Sequence, residues 1–228
     1  MREPKPRLRT RLGVTPRTAT VAAAAAALAL GLGTWLVLDA FKAPPLEIHG
    51  YVLTMPRDLP ADDLVDEHGE PFRLHDFVGH WSFLYFGYTY CPDVCPLTLV
   101  ELTKVKHELA ADGFAEPSAY YFVSVDPRRD TSARLREYVA YFDQELRGLT
   151  GSAAALAALA RATDTVFDAS DDSRGDDSAG DNYLVSHSSN VVLLDPNGRV
   201  HAVFAPPHDP AKLAGDFTKI VERYEALR

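Results

Sequence analysis

Residues 81–96 read WSFLYFGYTYCPDVCP, and this stretch organises the interpretation of the whole chain. The apolar, aromatic run Trp81–Phe86 predicts a buried strand. A helix is predicted from Pro96 onward, because apolar residues recur there with helical spacing. The only two cysteines of the chain, Cys91 and Cys95, therefore lie at a strand-to-helix junction.

Working outward from this stretch, the pattern predicts a regular order of elements. The predicted strands are a hairpin that turns at His68-Gly69, then Trp81–Phe86, Ala119–Val125, and the pair Asn190–Leu194 and Val200–Phe204 around an Asp195–Gly198 turn. The predicted helices alternate with them: one follows Pro96 with Leu99, Leu102, Val105 and Leu109 inward, one covers Thr131–Phe142 with Asp130 or Thr131 as its cap, and one runs from Ser152 to Ala162. A final helix begins at Asp209-Pro210, with Leu213, Phe217, Ile220, Tyr224 and Leu227 at helical spacing. This order is typical of a thioredoxin-like fold. We therefore predict an α/β domain over residues 46–228, with a central mixed sheet flanked by helices.

The N-terminal segments predict attachment to a membrane. Residues 1–20 form a basic tail, and residues 21–38 are uncharged and apolar over 18 positions. Such a run matches a transmembrane helix, and the charge asymmetry places the tail in the cytoplasm. The expected layout is a single-pass anchor in the inner (cytoplasmic) membrane, a linker over residues 39–45, and a periplasmic domain over residues 46–228. The alternative is a cleaved signal peptide.

Charge excludes one class of partner. The formal net charge is −9, which argues against binding to nucleic acid. The first 17 residues carry a net +5, so the remaining residues carry −14. An aspartate-rich segment, Asp164–Asn182, interrupts the pattern of elements, and we interpret it as a solvated, mobile loop. Docking of a basic partner is the alternative role.

Cys91 and Cys95 allow three kinds of chemistry: a disulfide, electron transfer, or binding of a thiophilic metal. Pro92 suits a first helical turn, which would place both sulfurs near a helix N-terminus. That position favours the thiolate, the species that attacks disulfides and binds metals. Three residues separate the cysteines, whereas a thioredoxin-type redox site has two. A disulfide across so short a loop would stabilise the fold little.

His187 is the candidate third metal ligand. It stands just before the strand Asn190–Leu194, at the place where a thioredoxin-like fold usually has a cis-proline beside its cysteines. Two thiolates and one imidazole suit Cu(I) and adapt to Cu(II), whereas a structural zinc site usually has four ligands. The other histidines are interpreted as surface or core residues, and His208 as the neighbour of a helix cap.

The residues Tyr85-Phe86-Gly87-Tyr88-Thr89-Tyr90-Cys91-Pro92-Asp93-Val94-Cys95-Pro96 closely resemble the signature of the SCO/SenC copper chaperones. The resemblance continues through residues 123–131, 149–151, 183–188 and 194–199. It implies a membrane-anchored, thioredoxin-like protein that binds copper and assists assembly of the CuA centre in subunit II of cytochrome c oxidase.

The resemblance also implies specific residues and partners. The copper ligands would be Cys91, Cys95 and His187. Asp126 would either support the site or cap the turn after its strand, and these two roles stay open. The implied partners are oxidase subunit II, a periplasmic copper donor and a thiol reductant.

Three other functions stay open at this point. The main one is a thiol–disulfide oxidoreductase that reduces an exported client such as the oxidase subunit, with Cys91 and Cys95 as its catalytic pair. A peroxidase related to peroxiredoxins shares the fold, but the cysteines lack the Thr-x-x-Cys setting of that family. A copper sensor or buffer would use the same ligands as a carrier.

Overall fold

The computed structural model describes residues 16–40, 46–60, 63–114, 118–168 and 185–227. The chain forms two compact units, Met1–Pro45 and Leu46–Arg228. In the first unit, helix α1 covers Pro16–Ala40. Among the helices that the structure describes, none combines the length and apolarity needed to cross a membrane. The anchor over residues 21–38 therefore stays a prediction, and the linker residues 41–45 lie outside the described residues.

The second unit contains ten strands and four α-helices among its described residues. The strands are β1 (Tyr51–Arg57), β2 (Leu64–Asp66), β3 (Pro71–Phe72), β4 (Trp81–Gly87), β5 (Ser118–Ser124), β6 (Leu146–Gly151), β7 (Phe167–Asp168), β8 (Ser186–His187), β9 (Val191–Leu194) and β10 (Val200–Phe204). The helices are α2 (Val94–Ala111), α3 (Ser132–Phe142), α4 (Ala153–Ala162) and α5 (Pro210–Ala226), with a 3₁₀ turn at Leu74–Phe77.

Eight of these strands form one mixed sheet in the order β1-β10-β9-β4-β5-β6-β2-β3. β4, β5 and β6 run parallel to their neighbours within this group, and the other pairings are antiparallel. β7 and β8 pair separately as a two-stranded ribbon. Helix α2 packs against α5 and α3, while α3 and α4 pack on β6. The predicted mixed sheet with flanking helices is confirmed.

The position of β4 follows from its sequence. All seven of its residues are buried, as expected for a central strand covered on both faces. Its parallel partner β5 leaves the sheet at the same end, so the loops after Gly87 and Ser124 lie side by side. This shared edge carries the cysteine loop.

The sequence prediction misses two strands of the sheet, β1 and β6. β6 reads LRGLTG and looks weak because glycine has no side chain to pack. Its Gly148 is required by packing, since a Cβ there would lie 2.5 Å from Leu135 of α3. β1 is an edge strand that contains Pro56 and exposes most of its side chains.

The predicted inward faces of α2 and α5 are confirmed except at the end of α5, where Tyr224 is half-buried and Leu227 is exposed. Every inward position predicted for α2 is buried, as are Leu213, Phe217 and Ile220 of α5. Leu227 is exposed, because α5 ends at Ala226 and its buried stripe ends earlier. Most of the acidic segment predicted as a loop, residues 169–182, lies outside the described residues. Its first residue, Asp164, forms a bidentate ion pair with Arg57.

Candidate metal centre

Cys91, Cys95 and His187 come together as the sequence predicts. Their potential ligand atoms all lie within 4.8 Å of one another, and no other such group of histidine, cysteine or acidic residues occurs in the described part of the chain. Cys95 Sγ lies 3.2 Å from His187 Nε2. Both cysteines are free thiols and both are buried. The site therefore holds two soft donors and one imidazole in a single cluster.

The start of α2 differs from the sequence prediction. The expectation that Pro92 lies in the first helical turn is wrong, because α2 begins at Val94 with Asp93 as its N-cap. Pro96 occupies the third helical position, where a missing N–H costs no hydrogen bond within the helix. Cys91 consequently lies in the loop, and helical spacing does not align the two sulfurs.

A turn brings the sulfurs together instead. The Cys91 N–H donates to the Tyr88 carbonyl at 3.1 Å, which folds the loop back on the helix. Cys91 Sγ then accepts a hydrogen bond from the Cys95 N–H at 3.4 Å. This N–H is one of the free donors of the first helical turn, so a thiolate at Cys91 is stabilised there.

The two thiols differ in acidity because they share a proton. A hydrogen bond from Cys95, and a weaker contribution from His187, lower the pKa of Cys91 despite its burial. The same hydrogen bond, together with burial, raises the pKa of Cys95. Cys91 is therefore the thiolate of the pair, and Cys95 holds the proton until a metal or an electrophile replaces it.

The His187 imidazole is oriented by the backbone carbonyl of the next residue, Ser188. His187 lies in β8, where it pairs with Phe167 of β7. Its Nδ1 lies 3.2 Å from the Ser188 carbonyl oxygen, which can only accept a hydrogen bond. Nδ1 can therefore donate to this oxygen, and Nε2 faces Cys95. The rings of Tyr85 and Tyr88 stand edge-on to the imidazole at 6.2 and 5.9 Å.

Gly87 makes room for the second sulfur. A Cβ at this position would lie 2.9 Å from Cys95 Sγ and 2.7 Å from the ring of Phe122. Real Cβ atoms do not approach other atoms so closely, so only glycine leaves Cys95 in place. The glycine that ends β4 is thus part of the site.

Asp130 fixes the cysteine loop, a role that sequence reasoning missed. Its carboxylate accepts from the Thr89 N–H at 2.9 Å, the Thr89 hydroxyl at 2.6 Å and the Ser124 hydroxyl at 2.5 Å. Burial raises the pKa of Asp130, while the donated hydrogen bonds oppose this shift. The cap of α3 is Thr131, whose hydroxyl accepts from the Arg134 N–H. A sequence alone could not separate these roles, since both residues are good caps.

Asp126 lies in the turn that follows β5. It is buried, forms an ion pair with Arg129, and its backbone N–H donates to the Ser124 hydroxyl at 3.1 Å. The Arg129 guanidinium in turn lies 5.5 Å from the centre of the Tyr88 ring. The Asp126 carbonyl accepts from the Asp130 N–H and closes the turn, while its carboxylate pairs with Arg129.

His208 contacts the segment that follows His187. It is buried, and its Nε2 lies 2.7 Å from the Ser189 carbonyl oxygen, two residues after His187. Its neighbour Asp209 caps α5 by accepting from the Lys212 N–H. The prediction that His208 neighbours a helix cap is confirmed.

A mixed sheet with flanking helices, and a cysteine pair at the end of a central strand, define a thioredoxin-like protein with a candidate metal site. Residues 61–222 match the SCO1/SenC family. The chain belongs to this family, as the resemblance in its sequence indicated.

Individual relatives agree with this assignment. The SCO2 homologue of Bos taurus is 37% identical over 72% of this chain, and that of Danio rerio is 41% identical over 59%. The matched regions span 58% and 47% of these two relatives, so this chain covers about half of their length.

Solved structures share the fold. Arabidopsis thaliana ScoI with copper bound is 29% identical, with a TM-score of 0.64 over 72% of this chain and 98% of that one. BsSco, described as a member of the Sco family of cytochrome c oxidase assembly proteins, is 18% identical with a TM-score of 0.55, over 73% of this chain and 94% of that one. At that identity the second comparison establishes the fold alone.

Proposed function

We propose that this chain binds copper through Cys91, Cys95 and His187, and delivers it to, or prepares, the CuA site of cytochrome c oxidase subunit II. The observation that carries the proposal is the cluster itself, with three potential ligand atoms within 4.8 Å of one another. The copper-bound ScoI of Arabidopsis thaliana, a member of the same family, supports the choice of metal.

The donor set suits a cargo metal. Thiolates select Cu(I), and imidazole accommodates several copper states. A structural zinc site is usually closed by four ligands, whereas this group contains three among the described residues. A three-donor set leaves access for a ligand from a partner, so copper can pass by stepwise exchange of ligands.

Each residue has a distinct part in capturing the metal. The Cys91 thiolate is present first, because Cys95 and the N–H of the first helical turn stabilise it. Cys95 loses its proton as it binds, so uptake releases a proton. His187 already directs Nε2 toward Cys95, at 3.2 Å from its Sγ. Gly87 and Asp130 keep the cysteine loop in the geometry that allows all three to converge.

Copper uptake depends on the redox state of the thiols. Oxidation of the Cys91 thiolate and the Cys95 thiol forms one S–S bond, releases one proton and two electrons, and removes two of the three donors. Loading therefore requires a thiol reductant that returns both electrons through exchange with this disulfide. A periplasmic copper donor then supplies the metal.

The location is part of the same proposal. Residues 21–38 lack charge and follow a basic tail, which supports a single-pass anchor in the inner membrane with residues 46–228 in the periplasm. An exported compartment permits thiol–disulfide exchange. Alkaline extraction of membranes tests this: the chain should stay in the pellet, and deletion of residues 21–38 should release it. Release of the intact chain would contradict the anchor.

Copper binding by the reduced full chain tests the ligand set. Wild type should retain one equivalent of copper, with thiolate-to-Cu(II) charge-transfer bands in the oxidised metal state. Cys91→Ala and Cys95→Ala should abolish binding, and His187→Ala should weaken it, mainly for Cu(II). His107→Ala, at an exposed position of α2, serves as the matched control. Tight Cu(II) binding by His187→Ala would contradict the assignment of His187.

A second candidate function is thiol–disulfide exchange, favoured by the lowered pKa of Cys91. The Cys91 thiolate would attack a client disulfide to form a mixed disulfide. Cys95 would then displace the client thiolate, leaving a reduced client and a Cys91–Cys95 disulfide. Reduction of a disulfide substrate by the copper-free chain, with no copper retained, would favour this function over the carrier.

A further inference from the structure

The hydroxyl of Tyr85 is a buried polar group beside the metal centre, and the proposed function leaves it without a role. Tyr85 lies in the central strand β4, and its side chain is fully buried. Its hydroxyl makes no hydrogen bond to any residue that the structure describes. Buried polar groups nearly always have a partner, so an exception of this kind calls for an explanation.

Tyr85 and Cys95 lie on the same face of the sheet. Side chains alternate along a strand, so Tyr85 shares its face with Gly87, two residues further on. A Cβ at Gly87 would lie 2.9 Å from Cys95 Sγ, which places this sulfur over the same face. The Tyr85 side chain therefore projects from the sheet on the side where Cys95 lies.

The aromatic neighbours of Tyr85 also belong to the site. The centre of its ring lies 6.2 Å from that of His187, whose Nε2 is 3.2 Å from Cys95 Sγ. The ring of Phe122 lies 6.3 Å away and borders the space at Gly87. Tyr85 is thus packed among the residues that surround the Cys95 sulfur.

The electrostatics of the two side chains agree with this placement. Burial is the main cause that raises the pKa of Tyr85, and the proximity of Cys95 raises it further, while Thr98 opposes the shift. The pKa of Cys95 is raised by Cys91 and by burial, and Tyr85 is among the groups that oppose this rise. A hydroxyl favours a thiolate by donating a hydrogen bond to it. The Tyr85 hydroxyl is therefore a potential donor to the Cys95 sulfur.

The chemistry of the sulfur decides when this donor is used. A thiol is a weak acceptor, whereas a metal-bound cysteine is a thiolate, which accepts strong hydrogen bonds. From these observations we propose that the Tyr85 hydroxyl donates a hydrogen bond to Cys95 Sγ when copper is bound, and thereby favours Cu(I) over Cu(II). The inference rests on the proposed function and adds a residue that tunes the bound metal.

The preference for Cu(I) follows from the charge on the sulfur. Cu(I) withdraws less electron density than Cu(II), so the ligand sulfur is more negative in the reduced state. A hydrogen bond favours the state in which its acceptor carries more negative charge. Hydrogen bonds around a cysteine sulfur tune the reduction potential of copper sites in this way. Tyr85 should therefore strengthen the binding of Cu(I) more than that of Cu(II).

Tyr85→Phe tests the inference because it removes the hydroxyl and keeps the ring. Affinities of the reduced full chain for Cu(I) and for Cu(II) are measured separately, by competition with chelators in mild detergent. We expect Tyr85→Phe to lose roughly tenfold in Cu(I) affinity, as outer partners of metal ligands do, and less in Cu(II) affinity. The thiolate-to-Cu(II) charge-transfer bands should move to longer wavelength, because the sulfur electrons are held less tightly without the hydrogen bond.

Tyr138→Phe is the matched control. The ring of Tyr138 lies 5.2 Å from the same Phe122, and its buried hydroxyl also makes no hydrogen bond to the described residues. This variant should keep the wild-type bands and the wild-type ratio of Cu(I) to Cu(II) affinity. The copper-free Tyr85→Phe chain should resist chemical denaturation at least as well as wild type, because loss of a hydroxyl without a partner breaks no hydrogen bond.

The outcomes separate this inference from the proposed function. Wild-type bands together with a wild-type affinity ratio in Tyr85→Phe would overturn the inference alone, and so would equal changes in Tyr138→Phe. Lower stability of the copper-free Tyr85→Phe chain would also overturn it, because the hydroxyl would then have a structural partner. A wild-type chain that retains no copper would overturn the proposed function, and this inference with it.

Discussion

At the scale of single residues, the site depends on a position with no side chain. Gly87→Ala would bring a Cβ within 2.9 Å of Cys95 Sγ and 2.7 Å of Phe122. We expect a loss of about 1–3 kcal/mol in the free energy of unfolding, as in other overpacked cores. Copper affinity should fall as well, because the sulfur must move. Chemical denaturation and competition with a Cu(I) chelator measure both effects.

Gly215→Ala provides the control for this change. Gly215 lies in α5, where a Cβ would meet nothing within 4 Å. Alanine should therefore stabilise the helix by up to about 1 kcal/mol. If Gly87→Ala leaves stability and copper affinity at the wild-type values, Gly87 does not position Cys95.

The second prediction at this scale concerns the carboxylate of Asp130. Asn at this position keeps the shape of the side chain but presents an NH₂ group to hydroxyl and N–H donors. Asp130→Asn should therefore lower the free energy of unfolding by about 1–3 kcal/mol and speed the dissociation of copper. Asp209→Asn, at the cap of α5, should change little because the two residues cap helices equally well. Wild-type dissociation rates in Asp130→Asn would argue against a positioning role.

At the scale of elements, local patterns predicted the site better than its supports. Cys91, Cys95 and His187 could be found because their residue types and spacing carry chemistry. Asp130 could not, since its importance arises only when the fold brings residues 89 and 124 around it. Pro96 misled the prediction of the helix start, because proline is tolerated throughout the first turn.

The ribbon of β7 and β8 is the least supported element of the site. It lies outside the eight-stranded sheet, with hydrogen bonds between Ser188 and Val166 and one from His208 to the Ser189 carbonyl. Amide hydrogen exchange should therefore be faster at Ser188 than at the buried strand residue Val192. His208→Ala should speed exchange at Ser188 and leave Val192 unchanged. Equal acceleration at both amides would mean that His208 stabilises the whole fold rather than the ribbon.

At the scale of the whole molecule, the partly buried His201 makes the free energy of unfolding depend on pH. His201 of β10 packs between the rings of Trp81 and Tyr224, with centroids 5.4 and 5.6 Å away. Burial lowers the pKa of His201, so the folded state binds this proton less tightly than the unfolded state. Its contribution to stability is complete above the unfolded pKa, about 6.5, and is lost as the pH falls below that value.

Replacing His201 should remove this part of the acid sensitivity. His201→Phe keeps a ring between Trp81 and Tyr224 but has no group that can bind a proton. We expect the loss in free energy of unfolding between neutral and mildly acidic pH to be smaller in His201→Phe than in wild type. Each protein is compared with itself at the two pH values, so a constant packing difference cancels. Equal losses in both proteins would show that His201 keeps its ordinary affinity for protons in the folded chain.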